Sequence, residues 1–155
     1  MRLSFYFQVC GPDHTAEVRP RRCLASTECS NVYSCEKAFD GFLTDGWASS
    51  YEGVGAWIQL NFDKLYSITK IAVMQRPQQS ESIKDVSLEF SDGTLVTFVL
   101  PNTPNQWIEI DLATYGDVIT SNYVNITVRS VYTGINSGFT EIKIFGCVKG
   151  KISFP

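Results

Sequence analysis

This chain is poor in the residues that most enzymes work with. Of its 155 residues only one, His14, is a histidine. A Ser–His or Cys–His nucleophilic pair would have to recruit that single imidazole. The sequence has no Gly-x-Ser-x-Gly elbow, no phosphate-binding glycine loop and no HExxH pair. It has no CxxC either, so its five cysteines fit no zinc spacing. No apolar run approaches the roughly 20 residues that span a bilayer, which leaves no transmembrane segment to propose. Basic excess is missing too: 13 Lys and Arg stand against 16 Asp and Glu, for a net charge of -3. That is the wrong sign for a nucleic-acid partner. Helical periodicity longer than about two turns is absent.

What is present is a β pattern almost throughout. Hydrophobic residues make up 44% and aromatics 13%, the composition of one folded domain with a sizeable core. In "WIQLNF", Ile58, Leu60 and Phe62 share a face. In "DVSLEF" the inward set is Val86, Leu88 and Phe90, with Asp85, Ser87 and Glu89 outward. The Asp92-Gly93 pair that follows predicts a tight type I′ hairpin, and "TLVTFVL" is its second strand. "WIEIDL", "YVNITVRSV" and "TEIKIFG" alternate as well, with Val124, Ile126, Val128, Ile142 and Ile144 inward. Short strands joined by Gly, Pro, Asn and Ser turns predict an all-β sandwich or barrel. At the N-terminus, Leu3, Phe5, Phe7 and Val9 alternate with Arg2, Ser4, Tyr6 and Gln8. That is the period of a strand; the other reading of Met1 to Val9 is the remnant of a signal peptide.

The cysteines are unevenly placed, four in the first quarter and Cys147 near the end. A terminal cysteine with distant partners acts as a staple closing a domain, which implies an oxidising compartment. The expected pairs are Cys29–Cys35 as a small clip and Cys147 with Cys10 or Cys23. One cysteine is then left over, free or joined to a second copy in a homo-oligomer. The sequon Asn125-Ile126-Thr127 makes Asn125 a candidate glycan acceptor and also fits a secreted chain.

In order, these segments resemble a known family. "CLASTECSNVYSCEKAFDGFLTDGWASS" is similar to the opening of a discoidin domain, the C-type domain of coagulation factors, in which an Ala-Ser strand leads to an Ala-x-Asp-Gly turn and a Trp. "GAWIQLNFDKLYSITKIAVMQRPQQSESIKDVSLEFSDGT" resembles the family's middle, and "NSGFTEIKIFGC" its closing strand. The resemblance divides the chain into an N-terminal extension or extra strand (1–22), a discoidin-like domain (23–147) and a tail (148–155). It implies a galactose-binding-like jelly-roll β-sandwich, a fold shared with carbohydrate-binding modules of secreted glycosidases. The "RPQQ…FSDG" segment resembles those modules.

The resemblance also implies sites. A structural Ca²⁺ would lie between the Asp-Gly loop and the Glu of the final strand, held by Asp40, Asp45, Glu141 and the carbonyls of Ala38 and Phe42. Hard cations want about 6–8 oxygens, which such loops can supply. The other reading is that Asp40 caps a turn and Asp45 serves the bend before Trp47. The ligand end would be built from "CSNVYSCE", "SSYEGVGA", "QRPQQSES" and "VYTGINSGF". Tyr33, Tyr51, Tyr132 and Phe139 are its candidate sugar platforms, and Arg76, Gln78, Glu52 and Asn136 its polar partners. Arg76 matches the arginine that follows this strand in sugar-binding relatives. These segments have no histidine, which disfavours fucose and leaves a galactose-type sugar preferred. The function expected is a non-catalytic, secreted, lectin-like domain that binds glycans. The alternative is a cell-adhesion module for a protein partner or a phospholipid surface, the latter requiring apolar loop tips backed by bases.

Overall fold

The structure is a computed structural model, and it describes Cys10, residues 16–116 and residues 118–148. The expected N-terminal strand at Met1 to Val9 and His14 lie outside the described residues. Among the described residues nine strands form: β1 (Glu17–Val18), β2 (Arg22–Ala25), β3 (Trp47–Ala48), β4 (Trp57–Gln75), β5 (Ile83–Phe90), β6 (Leu95–Val99), β7 (Trp107–Asp111), β8 (Ile119–Val131) and β9 (Gly138–Val148). Helical structure among the described residues is confined to 3₁₀ turns of three or four residues, in line with the missing helical period. No helix there is long and apolar enough to cross a membrane.

These nine strands pair antiparallel, in the order β1-β9-β4-β8-β5-β6, with β2 and β7 also on β4 and β3 also on β9. The 19-residue β4 is the spine. Its first part, through Asn61, pairs with β2 and β8. Its last part, from Lys70 onward, pairs with β7 and β9. The register shifts between Asn61 and Tyr66. An irregularity of this kind bends a strand and lets it serve both layers of a sandwich. The result is the expected all-β jelly-roll sandwich.

The core follows the alternation. Ile58, Leu60, Phe62, Val86, Leu88, Phe90, Val124, Ile126, Val128, Ile142 and Ile144 are all buried, each worth roughly 1.5–3 kcal/mol when fully removed from water. Ser87 departs from the pattern. It faces outward yet is buried, because Arg129 lies across it and donates from Nε to its Oγ at 2.9 Å. Long cationic side chains cover neighbouring surface in this way.

The hairpin after β5 also differs from expectation. The Gly93 N–H donates to the Phe90 carbonyl at 3.0 Å, and the Phe90 N–H to the Thr94 carbonyl at 3.0 Å. Gly93 has φ +87°, while Asp92 is not among the positive-φ residues. A type I′ turn needs both central residues at positive φ, so this is a three-residue loop closed by a left-handed glycine.

Cys10 pairs with Cys147, one of the two expected partners. The small clip is corrected: Cys23 pairs with Cys35, Cα atoms 6.0 Å apart, and Cys29 is left free and exposed. Alternation in β2 is the reason. It turns Cys23 inward between exposed Arg22 and Leu24, toward a buried Cys35. Cys29 is instead held by its own N–H, which donates to the Ala48 carbonyl at 2.8 Å. The sheet also begins earlier than residue 23, since Glu17 and Val18 pair with Phe145 and Ile144 of β9.

Candidate functional site

Four connections meet at one end of the sandwich, and hydroxyl and amide side chains tie them together. The Ser49 N–H donates to the Ser137 carbonyl at 2.8 Å, and the Ser137 N–H to Ser49 Oγ at 2.9 Å. Ser137 Oγ donates to the Gly53 carbonyl at 2.9 Å. Thr27 Oγ1 donates to Glu52 Oε2 at 2.8 Å and accepts from the Ser50 N–H at 3.0 Å. The Tyr132 N–H reaches the Ser82 carbonyl at 2.9 Å. Backbone groups in packed loops need partners, and these short polar side chains supply them. At Gly134 (φ +105°) a Cβ would lie 1.4 Å from the Ser80 carbonyl oxygen. Only glycine lets those two loops touch.

Arg76 leaves the end of β4 and is 5% exposed. Its Nε donates to Glu81 Oε2 at 2.5 Å, and its guanidinium carbon lies 4.8 Å from the Tyr33 ring centroid. Gly138 makes room for it, because a Cβ there would sit 2.7 Å from Arg76 Cδ. The guanidinium is therefore fixed by a carboxylate and an aromatic face. Tyr51 adopts φ +53° and is 82% exposed, with its N–H held by Asn136 Oδ1 at 2.8 Å. Glu52 is half-buried and holds Thr27. Gln78 is exposed, and its carbonyl accepts from the Glu81 N–H at 3.0 Å.

Two expected platforms fare differently from Tyr33 and Tyr51. Phe139 is corrected: it is fully buried and stacks on Trp47, ring centroids 6.3 Å apart. It faces the core because the strand has already begun at Gly138, so it is packing and not a ligand surface. Tyr132 donates its hydroxyl to the Leu100 carbonyl at 2.8 Å and has Lys84 Nζ 5.9 Å from its ring centroid, so much of it is committed to packing. Sequence reading missed Glu81, the partner of Arg76, whose only signal was its place in the same loop segment. It also missed Val32, Val54 and Ile135, all exposed at loop tips.

The second cluster is the acidic loop against β9. Asp40 Oδ1 accepts from the Phe42 N–H at 2.9 Å, the turn expected of an Asx residue. Glu141 Oε1 accepts from the Gly41 N–H at 3.2 Å. Gly46 presses the loop onto β9, since a Cβ there would meet the Phe139 carbonyl oxygen at 2.5 Å. Lys37 Nζ sits 3.3 Å from Asp45 Oδ2 and 3.6 Å from Asp40 Oδ2. Two buried carboxylate oxygens, Asp45 Oδ1 and Glu141 Oε2, have no hydrogen-bond partner. Burial pushes the Glu141 carboxyl up to about 7, and Asp40 adds to this against the opposing Gly41 N–H. Ala38 is buried in this loop and Phe42 is exposed at its crest. Among the described residues, the side chains that bring three metal-ligating atoms within 4.8 Å of one another are Cys23, Cys35 and Glu36, whose sulfurs are bonded together; Asp40, Asp45 and Glu141 do not converge that closely.

Residues 20–145 match the family described as "Domain of unknown function (DUF7402)". The chain belongs to this family. No curated protein matches it. Several solved structures share the fold of this DUF7402 domain. One is the family 32 carbohydrate-binding module of Clostridium perfringens NanJ in complex with galactose, at 14% identity and TM-score 0.68, covering 84% of this chain and 99% of that one. Another is the family 32 module of AlyQ in complex with 4,5-unsaturated mannuronic acid, at 17% identity and TM-score 0.67, covering 84% and 98%. A third is chitosan-binding module 2 of a chitosanase/glucanase from Paenibacillus sp. IK-5 in complex with chitotriose, at 16% identity and TM-score 0.67, covering 83% and 98%. The discoidin-like, galactose-binding-like sandwich expected from the sequence is thus the fold of this DUF7402 domain. Asn125 lies half-buried on the outer face of its β8, where its Nδ2 donates to Gln59 Oε1 at 3.4 Å and its Oδ1 accepts from Thr127 Oγ1 at 2.9 Å.

Proposed function

We propose that this DUF7402 domain is a non-catalytic, extracellular carbohydrate-binding domain that takes glycans at the four-loop end. The observation that carries the reading is Arg76, buried and pinned between Glu81 and Tyr33, beside a loop that presents Tyr51 to solvent. An exposed aromatic ring stacks on the apolar C–H face of a pyranose, while fixed guanidinium, carboxylate and amide groups sort its hydroxyls. Tyr51 and Tyr33 are the platforms, and Arg76, Glu52, Asn136 and Gln78 the polar partners. Solved relatives of the same fold have been seen with galactose, an unsaturated uronic acid and chitotriose. A galactose-type sugar is the first to try. Secretion is supported by the two disulfides, and Asn125 is its candidate glycan acceptor.

The acidic loop takes a structural Ca²⁺ in this reading. Asp45 and Glu141 offer the buried oxygens that have no partner. Asp40 and the carbonyls of Ala38 and Phe42 are the further oxygens it would draw on toward the roughly 6–8 that such a cation wants. Bound there, the ion would neutralise the carboxylates and tie the loop to β9. Its contribution would be to stability alone.

The test is a glycan array with the purified domain in calcium, run beside Arg76→Ala and Tyr51→Ala. The reading predicts binding to one coherent sugar class that both variants lose. A blank array from well-folded protein contradicts it. A second reading, adhesion to a phospholipid surface, draws on Val32, Val54 and Ile135, which are exposed on the same loops. The acidic residues beside them, Glu28, Glu52 and Glu81, work against an anionic membrane.

A further inference from the structure

The outer face of β4 and β8 places the sequon on a linked polar strip. Ile58, Leu60 and Phe62 are buried in the core, so Trp57, Gln59 and Asn61 face away from it. Opposite them on β8 stand Thr127, Asn125 and Tyr123 in turn. The hydrogen bonds of the strip run in one direction. Thr127 Oγ1 donates to Asn125 Oδ1 at 2.9 Å, Asn125 Nδ2 to Gln59 Oε1 at 3.4 Å, and Gln59 Nε2 to Asn61 Oδ1 at 3.0 Å. The Asn125 amide is thereby oriented, with its oxygen toward Thr127 and one of its two N–H hydrogens in use. Trp57 is half-buried and lies directly across from Thr127. It is a diagonal neighbour of Asn125, about 7–8 Å away and within reach of an aromatic side chain. On its other side Asn125 faces Glu89 of β5, which has no ring to offer.

We propose that Asn125 carries an N-linked glycan whose first sugar lies against the Trp57 ring. This rests on the secreted reading above and adds to it the surface on which the attached sugar packs. The transfer, made before β8 pairs, forms a bond from Nδ2 to C1 of the sugar and breaks the C1–O bond of a lipid-pyrophosphate-linked oligosaccharide. One Nδ2 proton passes to a base of the transferase, and the lipid pyrophosphate leaves. The remaining Nδ2 hydrogen keeps the bond to Gln59, and Oδ1 still accepts from Thr127. The strip therefore survives the modification with every bond in place. The product is a secondary amide, which strongly prefers the trans form. Trans geometry puts the sugar carbon on the same edge as Oδ1. That edge faces Thr127, and Thr127 faces Trp57. The apolar C–H face of the sugar then covers the indole, which removes apolar surface of both from water.

The experiment makes the full chain, wild type and Trp57→Ala, in a eukaryotic secretory host and in a bacterial periplasm, which forms disulfides but adds no glycan to this sequon. Peptide mass mapping reads the modification, and thermal melting compares the four forms. The expected result is a glycan at Asn125 that raises the wild-type melting midpoint by about 2–4 °C, a rise that Trp57→Ala loses. Nuclear Overhauser contacts between protons of the first sugar and the Trp57 indole should accompany it. If Trp57→Ala keeps the rise, or wild type shows none, the packing on Trp57 is overturned and Asn125 stands as an acceptor. If secreted wild type carries no glycan at Asn125, the acceptor reading falls and the packing falls with it. Should Trp57→Ala fail to fold, Trp57→Leu, apolar but without a ring, takes its place under the same criteria.

Discussion

The two polar clusters of this domain handle buried charge in opposite ways. At the four-loop end the buried Arg76 has its counter-charge built in, with Glu81 at 2.5 Å and a tyrosine ring against the guanidinium. At the acidic loop, Glu141 is just as deeply buried but keeps one oxygen without a partner, and the charge that acts on it most, Asp40, has the same sign, with Lys143 opposing it more weakly. One cluster is complete and presents a shaped surface. The other has Lys37 beside two of its carboxylates, yet leaves one buried oxygen on Asp45 and one on Glu141 without a partner. The comparison explains why a binding surface is proposed at the first and a structural ion at the second.

The largest effect that would break the comparison comes from Glu81→Ala. It leaves Arg76 buried without its carboxylate, and removing one partner of a buried pair costs about 3–5 kcal/mol. Urea unfolding should show that loss, and replacing Arg76 and Glu81 together by Met and Leu should recover much of it. An effect near zero for Glu81→Ala would mean that water reaches the pair and that the first cluster is not self-contained.

The next effect is a pH dependence, and its sign follows from Glu141. Its carboxyl is raised from 4.5 to about 7 in the folded chain, chiefly by burial. The folded state thus holds this proton more tightly than the unfolded state. In chelator, stability should fall as pH rises from 4.5 toward about 7 and then level off. Glu141→Gln should flatten that window and remove any stabilisation by calcium. Melting curves of both chains at several pH values would show it. A wild-type curve that rises through the same window would contradict the burial of an unpartnered carboxylate.

The smallest effect is at Tyr51. Its φ of +53° is left-handed backbone, a conformation that non-glycine residues adopt at a cost of about 1 kcal/mol. Tyr51→Gly should therefore leave stability unchanged or raise it by up to about 1 kcal/mol while abolishing sugar binding. A clear loss of stability would mean that the exposed ring is part of the packing and not a platform.

Much of this was legible in the sequence, and what was not has particular causes. Strands β4, β5 and β8 were readable because one face is buried and the other is not, so polarity alternates residue by residue. Phe139 was misread because β9 loses that alternation where it is covered on both sides: Phe139, Thr140, Glu141 and Ile142 are all buried. Phe139 shares the parity of Glu141 and Lys143, opposite to Ile142 and Ile144, so alternation alone did not mark it as core. The disulfide error had a similar origin. Cys29 and Cys35 are near in sequence, but the inward turn of Cys23 in β2 decided the pairing. Arg76 was found through a family resemblance, whereas its partner Glu81 sits in an aperiodic loop where no local pattern marks it. Lys37 carried no signal either, since its meaning depends on Asp45, eight positions away, folding back beside it.

The most direct test of the central claim is to titrate a ¹⁵N-labelled domain with galactose, then with the sugars that an array selects, and follow the amide shifts. The account predicts saturable shifts at Tyr33, Tyr51, Glu52, Arg76 and Asn136, with none at Gly41, Asp45 or Glu141. Shifts confined to the sheet faces or to the acidic loop, or no shift with any sugar, would contradict the claim that the four-loop end is a glycan site.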